Sequence, residues 1–179
     1  MDEEWLDSVT IRYMTEEDLP ALEWDGEYTR YRRVYKEVYR NFTRGISLPY
    51  VAVDPDAGII GQVFLTRKDP NPDYGTRSRY FFLSSFRVKP EYRGRGLGSR
   101  LLAACEKDVL AARLRDIYLN CAENNPRARS FYEQHGFKVV RVDSGTWSII
   151  NEEGLLVSEK QTAYLMKKAL PRSFLGRFI

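Results

Sequence analysis

The chain has 179 residues, of which 43% are hydrophobic and 30% charged, with a formal net charge of +3. These are the proportions of one ordinary globular domain with enough chain to bury a core. No stretch is long and apolar enough to span a bilayer, the charge is too small to argue for nucleic acid, and two cysteines with one histidine exclude a zinc site built from those residues.

Met1-Asp2-Glu3-Glu4-Trp5 lacks the basic-then-apolar order of a signal peptide, so a cytoplasmic protein is expected. Val9 to Tyr13 alternates like a strand. Thr15 followed by Glu16, Glu17 and Asp18 reads as a helix start, carrying Leu19, Leu22 and Trp24 and ended by Gly26. The next predicted helix, about Glu27 to Phe42, sets Tyr28, Tyr31, Tyr35, Val38, Tyr39 and Phe42 on one stripe. Charge changes sign between these two segments. Residues 1–27 hold ten acids against Arg12, and residues 28–44 hold six bases against Glu37, the pattern of two solvated faces that attract each other.

Tyr50–Val53 and Ile59–Leu65 read as strands joined by the turn Asp54-Pro55-Asp56-Ala57-Gly58, and Arg67 to Arg79 as a surface loop. The aromatic run Tyr80 to Val88 is a further strand, closed by Pro90. Leu101, Leu102, Cys105, Val109 and Ala112 recur at helical spacing after it, so Gly94, Gly96 and Gly98 lie at a strand-to-helix turn. Asp116–Cys121 is the next strand, and a helix follows from Pro126 to about His135, ended by Gly136. Phe137–Val142 and Thr162–Lys167 close the sheet as an antiparallel pair around the stretch from Asp143 to Gln161. Phe174, Leu175, Phe178 and Ile179 stand in a C-terminal tail, 171–179, beyond a core of about 9–170. Cys105 and Cys121 fit as small buried residues rather than a disulfide.

A helix start presents unpaired amide N–H groups and the positive end of the helix dipole, where a phosphate fits. Glycines let the backbone approach it, and Arg93 and Arg95 add charge. The spacing Gly-x-Gly-x-Gly is neither a dinucleotide-binding fingerprint nor a P-loop. Arg93-Gly94-Arg95-Gly96-Leu97-Gly98 after Val88-Lys89-Pro90 resembles the pyrophosphate-binding turn of the GNAT superfamily of acyl-CoA-dependent N-acyltransferases. Asn125-Pro126 through Phe131-Tyr132-Glu133-Gln134-His135-Gly136-Phe137 is similar to a second segment of that family.

The resemblance spans roughly Val9 to Leu170. It implies an α/β fold in a single domain: a mixed, mostly antiparallel sheet of about seven strands, flanked by about four helices and splayed between the fourth and fifth strands. Acetyl-CoA is the implied co-substrate, with no metal. The backbone of Phe86, Arg87 and Val88 would hold the pantetheine arm, and the amides from Arg93 to Ser99, through Gly94, Arg95, Gly96, Leu97 and Gly98, the pyrophosphate. Asn125 would contact the pantetheine or cap the following helix. Tyr132 would protonate the departing thiolate, or else serve as a core aromatic beside Phe131. Trp24, Tyr28 and Tyr31 would border the amine acceptor, a small molecule or a peptide. The place of a strand glutamate in some members is held by Asn120, and Ser84 and Ser85 stand where others have an acid, so the base is open among Glu23, Asp25, Glu27 and Glu123 acting through water. The alternative is a non-catalytic acyl-CoA-binding or sensing domain. A nucleic-acid or membrane partner is not expected, and a monomer or a homodimer is.

Overall fold

The computed structural model describes residues 2–171, so the apolar tail positions from Phe174 onward lie outside the described residues. Seven strands form one sheet: β1 (Thr10–Tyr13), β2 (Ser47–Asp54), β3 (Gly58–Lys68), β4 (Tyr80–Val88), β5 (Asp116–Ala122), β6 (Lys138–Ile150) and β7 (Leu156–Ala169). Their order is β1-β2-β3-β4-β5-β7-β6, antiparallel throughout except for the parallel pair β4 and β5. The described helices are α1 (Asp2–Ser8), α2 (Arg32–Thr43), α3 (Leu97–Ala111) and α4 (Pro126–Gln134), joined by short 3₁₀ turns. None is long and apolar enough to cross a membrane.

Helices cover both faces of the sheet because most strands are apolar on both. On one face Leu97, Leu101, Leu102, Cys105 and Val109 of α3 pack with Tyr132 and Phe137 against Ile60, Val63, Leu83 and Leu119. On the other, Tyr35 and Val38 of α2 pack with Met14 and Leu22 against Val51, Ile59 and Phe64. Cys105 and Cys121 are buried free thiols.

Several predicted boundaries move. The segment after Thr15 is a 3₁₀ helix, Glu16–Glu23, ended at Trp24 in the left-handed region (φ 45°) rather than at Gly26. The helix expected from Glu27 begins at Arg32, because Tyr28 and Tyr31 sit in irregular and 3₁₀ backbone where their rings meet Arg87. Helix α1 was not anticipated; seven residues are too few to carry a periodicity, and it is held by tertiary contacts. The closing pair is one long hairpin, with β6 and β7 paired from Lys138↔Lys167 out to Ile150↔Leu156. Its tip is the turn Asn151-Glu152-Glu153-Gly154, where Asn151 Oδ1 accepts from the amides of Glu153 and Leu155 and Gly154 stands at φ 85°, and the flanking arms carry exposed Trp147, Ile150, Leu155 and Leu156.

Candidate active site

Strands β4 and β5 pair only at Phe81↔Ile117, Phe82↔Tyr118 and Leu83↔Leu119. Past that point β4 keeps its bonds to β3 as far as Val88 and β5 its bonds to β7 as far as Ala122. Their facing edges therefore carry backbone donors and acceptors with no strand between them. Ser85, at φ 51°, breaks the β4 regularity opposite the register shift between Gln62 and Phe64. After it, Phe86 packs towards Phe131 and Tyr132, while Arg87 packs towards Tyr28 and Tyr31 on the opposite face.

A groove of about 560 Å³ opens where the strands part, lined by Phe86, Arg87 and Val88 and floored by the glycine turn. Gly96, at φ 87°, is the N-cap of α3 and supplies no side-chain cap, which leaves the first amides of the helix free of one. A Cβ on Gly96 would also come within 3.3 Å of Leu6, and one on Gly98 within 3.3 Å of the Phe131 ring. Arg93 donates from Nε to the Val88 carbonyl at 2.7 Å, tying the turn to the end of β4. Gly94, Gly96, Gly98, Ser99 and Arg93 all reach the groove. Two expected contributors do not present side chains there: Leu97 is buried in the core, and the Arg95 guanidinium lies 3.7 Å over the Trp5 ring. Each can serve only through its backbone.

Helix α4 forms the opposite wall. Asn125 accepts a hydrogen bond from the Ala128 amide at 3.1 Å, capping the helix, and stands on the groove rim as well. Tyr132 lines the groove at 8% exposure, enclosed by the rings of Phe86, Phe131 and Phe137. Burial pushes its phenol well above the ordinary range, and among the described residues its hydroxyl has no partner.

Sequence reasoning missed Arg127, Ala128, Phe131, Gln134 and His135 in this wall; the three- and four-residue spacing from Ala128 to His135 is the signal that could have found them. His135 Nδ1 lies 2.7 Å from the Phe131 carbonyl and Nε2 2.8 Å from Ser99 Oγ. Since a carbonyl only accepts, Nδ1 carries a proton, and in the neutral ring Nε2 accepts from Ser99. The bond ties the end of α4 to the first turn of α3.

Of the expected acceptor residues, Tyr28 lines the groove, while Trp24 and Tyr31 stand behind it, their rings 5.2 and 6.2 Å from that of Tyr28. The guanidinium of Arg87 lies 3.9 Å from the Tyr28 ring centre and donates to the Tyr35 hydroxyl at 2.6 Å. Lys89 Nζ is 5.9 Å from Trp24. From the hairpin, Trp147 reaches the Tyr31 ring at 6.0 Å. No carboxylate among the described residues lines the groove. Glu23 is held by Arg32 at 2.5 and 2.9 Å, which keeps its carboxyl below the usual range. Asn120, Asp25, Glu27 and Glu123 are exposed. No cluster of three or more metal-binding side chains occurs among the described residues.

The profile of the acetyltransferase (GNAT) family matches residues 11–137. Among solved structures, Arabidopsis thaliana NAA60 in complex with acetyl-CoA aligns with a TM-score of 0.67 at 20% identity, over 90% of this chain and 98% of that one. Chaetomium thermophilum Naa20 in complex with a bisubstrate analogue aligns with a TM-score of 0.69 at 22% identity, over 95% and 91%. The spermidine/spermine N-acetyltransferase SpeG of Vibrio cholerae gives 0.60 at 22%, over 92% and 94%. At such identities the likeness is one of fold.

Proposed function

The chain belongs to the GNAT family of acetyltransferases, and from that premise we propose that it moves an acetyl group from acetyl-CoA to the primary amine of a small molecule or peptide. The observation that carries this reading is the uncapped N-terminus of α3 at a glycine turn, opening into the groove between the unpaired edges of β4 and β5. The residues present suit coenzyme A. A diphosphate meets the amides from Arg93 to Ser99 and the charge of Arg93, the free edge at Phe86 and Val88 suits an extended amide-bearing arm, and Asn125 stands at the rim. Arg95 and Leu97 contribute backbone only.

When bound, the co-substrate supplies an acetyl group activated as a thioester. In the reaction the acceptor nitrogen forms a bond to the acetyl carbon, the carbon–sulfur bond breaks, and a proton from the amine is balanced by one gained at sulfur. Tyr132 is the donor we assign to that sulfur. Its buried phenol stays protonated, and because it is a weaker acid than an ordinary phenol, full transfer to a thiolate of pKa roughly 8.5 is uphill. Its gain therefore lies in a hydrogen bond that strengthens as charge develops. An alkyl amine of pKa about 10.4 is unprotonated in only about one molecule in 2,500 at pH 7. Arg87 beside the groove disfavours a second positive charge there and raises that fraction without a carboxylate base.

Thiol release from acetyl-CoA against amino acids, peptides, polyamines and aminoglycosides, with calorimetric titration of coenzyme A alongside, tests the reading. Gly96→Val, forced to φ 87° and against Leu6, is expected to lose coenzyme A binding and turnover together; retained affinity would remove the turn from the site. The groove lining, without a carboxylate, also favours a second reading, a domain that senses acyl-CoA without catalysis. That reading requires tight coenzyme A binding and no turnover with any acceptor.

A further inference from the structure

We propose that the acceptor carries a carboxylate close to its amine, and that Arg87, which lines the groove with Tyr28, receives it, with Lys89 and Trp24 packed behind. The proposal rests on the reading of the groove as the acetyl-transfer site and names the acceptor's chemistry within it.

The observations all lie on the α2 face of the sheet. Arg87 and Lys89, two residues apart at the end of β4, lie over the rings of Tyr28 and Trp24. Neither has a carboxylate at ion-pair distance among the described residues, although Arg12, Arg30, Arg32 and Lys167 each do. The Arg87 fork has five N–H donors and gives one to Tyr35. Its guanidinium carbon lies 3.9 Å from the Tyr28 ring centre and 4.9 Å from that of Tyr31, and the remaining N–H donors of a guanidinium suit two carboxylate oxygens.

Two further groups of the cluster are buried and lack partners among the described residues. Trp24 is 7% exposed, with Nε1 unbonded. Gln62, fully buried, pairs across the strands with Arg87 and has both amide atoms unbonded. Orphaned buried polar groups are uncommon and call for an explanation. Here Arg87 and Tyr28 face the groove, and Trp24 and Lys89 lie in the layer behind Tyr28.

Ring faces compensate a half-buried cation only in part, whereas an anionic oxygen would satisfy charge and donors together. The same cations oppose a polyamine, whose second ammonium would approach Arg87 without a carboxylate in the lining to receive it. A free amino acid and a peptide with an acidic residue next to its N-terminus both offer the required chemistry.

The test compares kcat/KM within matched pairs. One arm uses amino acids from glycine to 6-aminohexanoate and the same compounds as carboxamides; the other uses peptides with Asp or Asn in second place. The wild type is expected to favour the charged member by about 10- to 100-fold in the arm that contains the true source, the range of a charge-assisted hydrogen bond. Arg87→Gln should cut that ratio at least about tenfold and Arg87→Lys should keep part of it, with melting temperature reporting that each variant folds. Calorimetry of N-acetylglycine against N-acetylglycinamide on the coenzyme A complex repeats the comparison without turnover.

A ratio near one in both arms and in calorimetry overturns the proposal. So does a ratio that Arg87→Gln leaves unmoved while coenzyme A affinity falls, which would assign the guanidinium to the co-substrate. Preferred turnover of polyamines overturns it while leaving the acetyltransferase reading intact, whereas failure of the wild type to bind coenzyme A would overturn that reading itself.

Discussion

Tyr132 shows what one side chain's surroundings decide. Phe86, Phe131 and Phe137 remove water from its ring, and the cost of placing a phenolate among them keeps the hydroxyl protonated beyond the ordinary tyrosine range. Tyr132→Phe is expected to lower kcat by about 10²-fold while coenzyme A affinity by calorimetry stays within about twofold; an unchanged kcat from pH 6 to 9 would take Tyr132 out of the mechanism. An alkaline fall in rate below the ordinary phenol range then belongs to another group. Tyr132 and the glycines were legible because motif residues announce themselves by type and spacing. Lys89 and His135 were not, since a lysine before a proline and a histidine at a helix end mean nothing until Trp24 and Ser99 are seen beside them.

At the scale of elements, α1 is the clearest gain over the sequence. Trp5 stacks on Tyr92 at 5.6 Å, donates to Asp54 at 2.9 Å and lies under Arg95, while Leu6 touches the Gly96 position and accepts a hydrogen bond from Arg100 through its carbonyl. The helix thus buttresses the glycine turn from the side away from the groove. Trp5→Ala should destabilise the fold by about 1–3 kcal/mol and weaken coenzyme A binding several-fold, read by thermal melting and calorimetry; a loss of stability with affinity unchanged would make the helix a structural brace alone. Local signals placed β4 and α4 within a residue, and the glycine turn marked where α3 starts, because an aromatic run, a glycine turn and an Asn-Pro cap each act over a few residues. The length of the β6–β7 hairpin and the delayed start of α2 depend on contacts between distant segments, such as Trp147 with Tyr31 and Arg87 with Tyr28, and these leave no periodicity behind.

For the whole molecule, titration brackets the pH range of stability. Asp18 with Arg12, Glu23 with Arg32 and Asp54 with the Ala57 amide are all held below the usual carboxylate range. Their stabilisation is present above the unfolded carboxylate pKa of about 4 and is lost as pH falls through the lower folded values. Tyr50 and Tyr132 are raised by burial, so their contribution holds below the unfolded phenol pKa of about 10 and is lost as pH rises above it. Melting temperature should accordingly form a plateau between about pH 5 and 9 and fall on both sides; a steady slope across neutrality would contradict these assignments. The parting of β4 from β5 has a mechanical meaning as well. Strands β1 to β4 form one ladder and β5, β7 and β6 another, and the backbone pairing between the two runs only from Phe81↔Ile117 to Leu83↔Leu119. The sheet is a book with a short spine: three backbone pairs leave the boards barely stitched, so the groove's width is set by side chains that bind board to board, the core packed under α3 and the bond from His135 to Ser99.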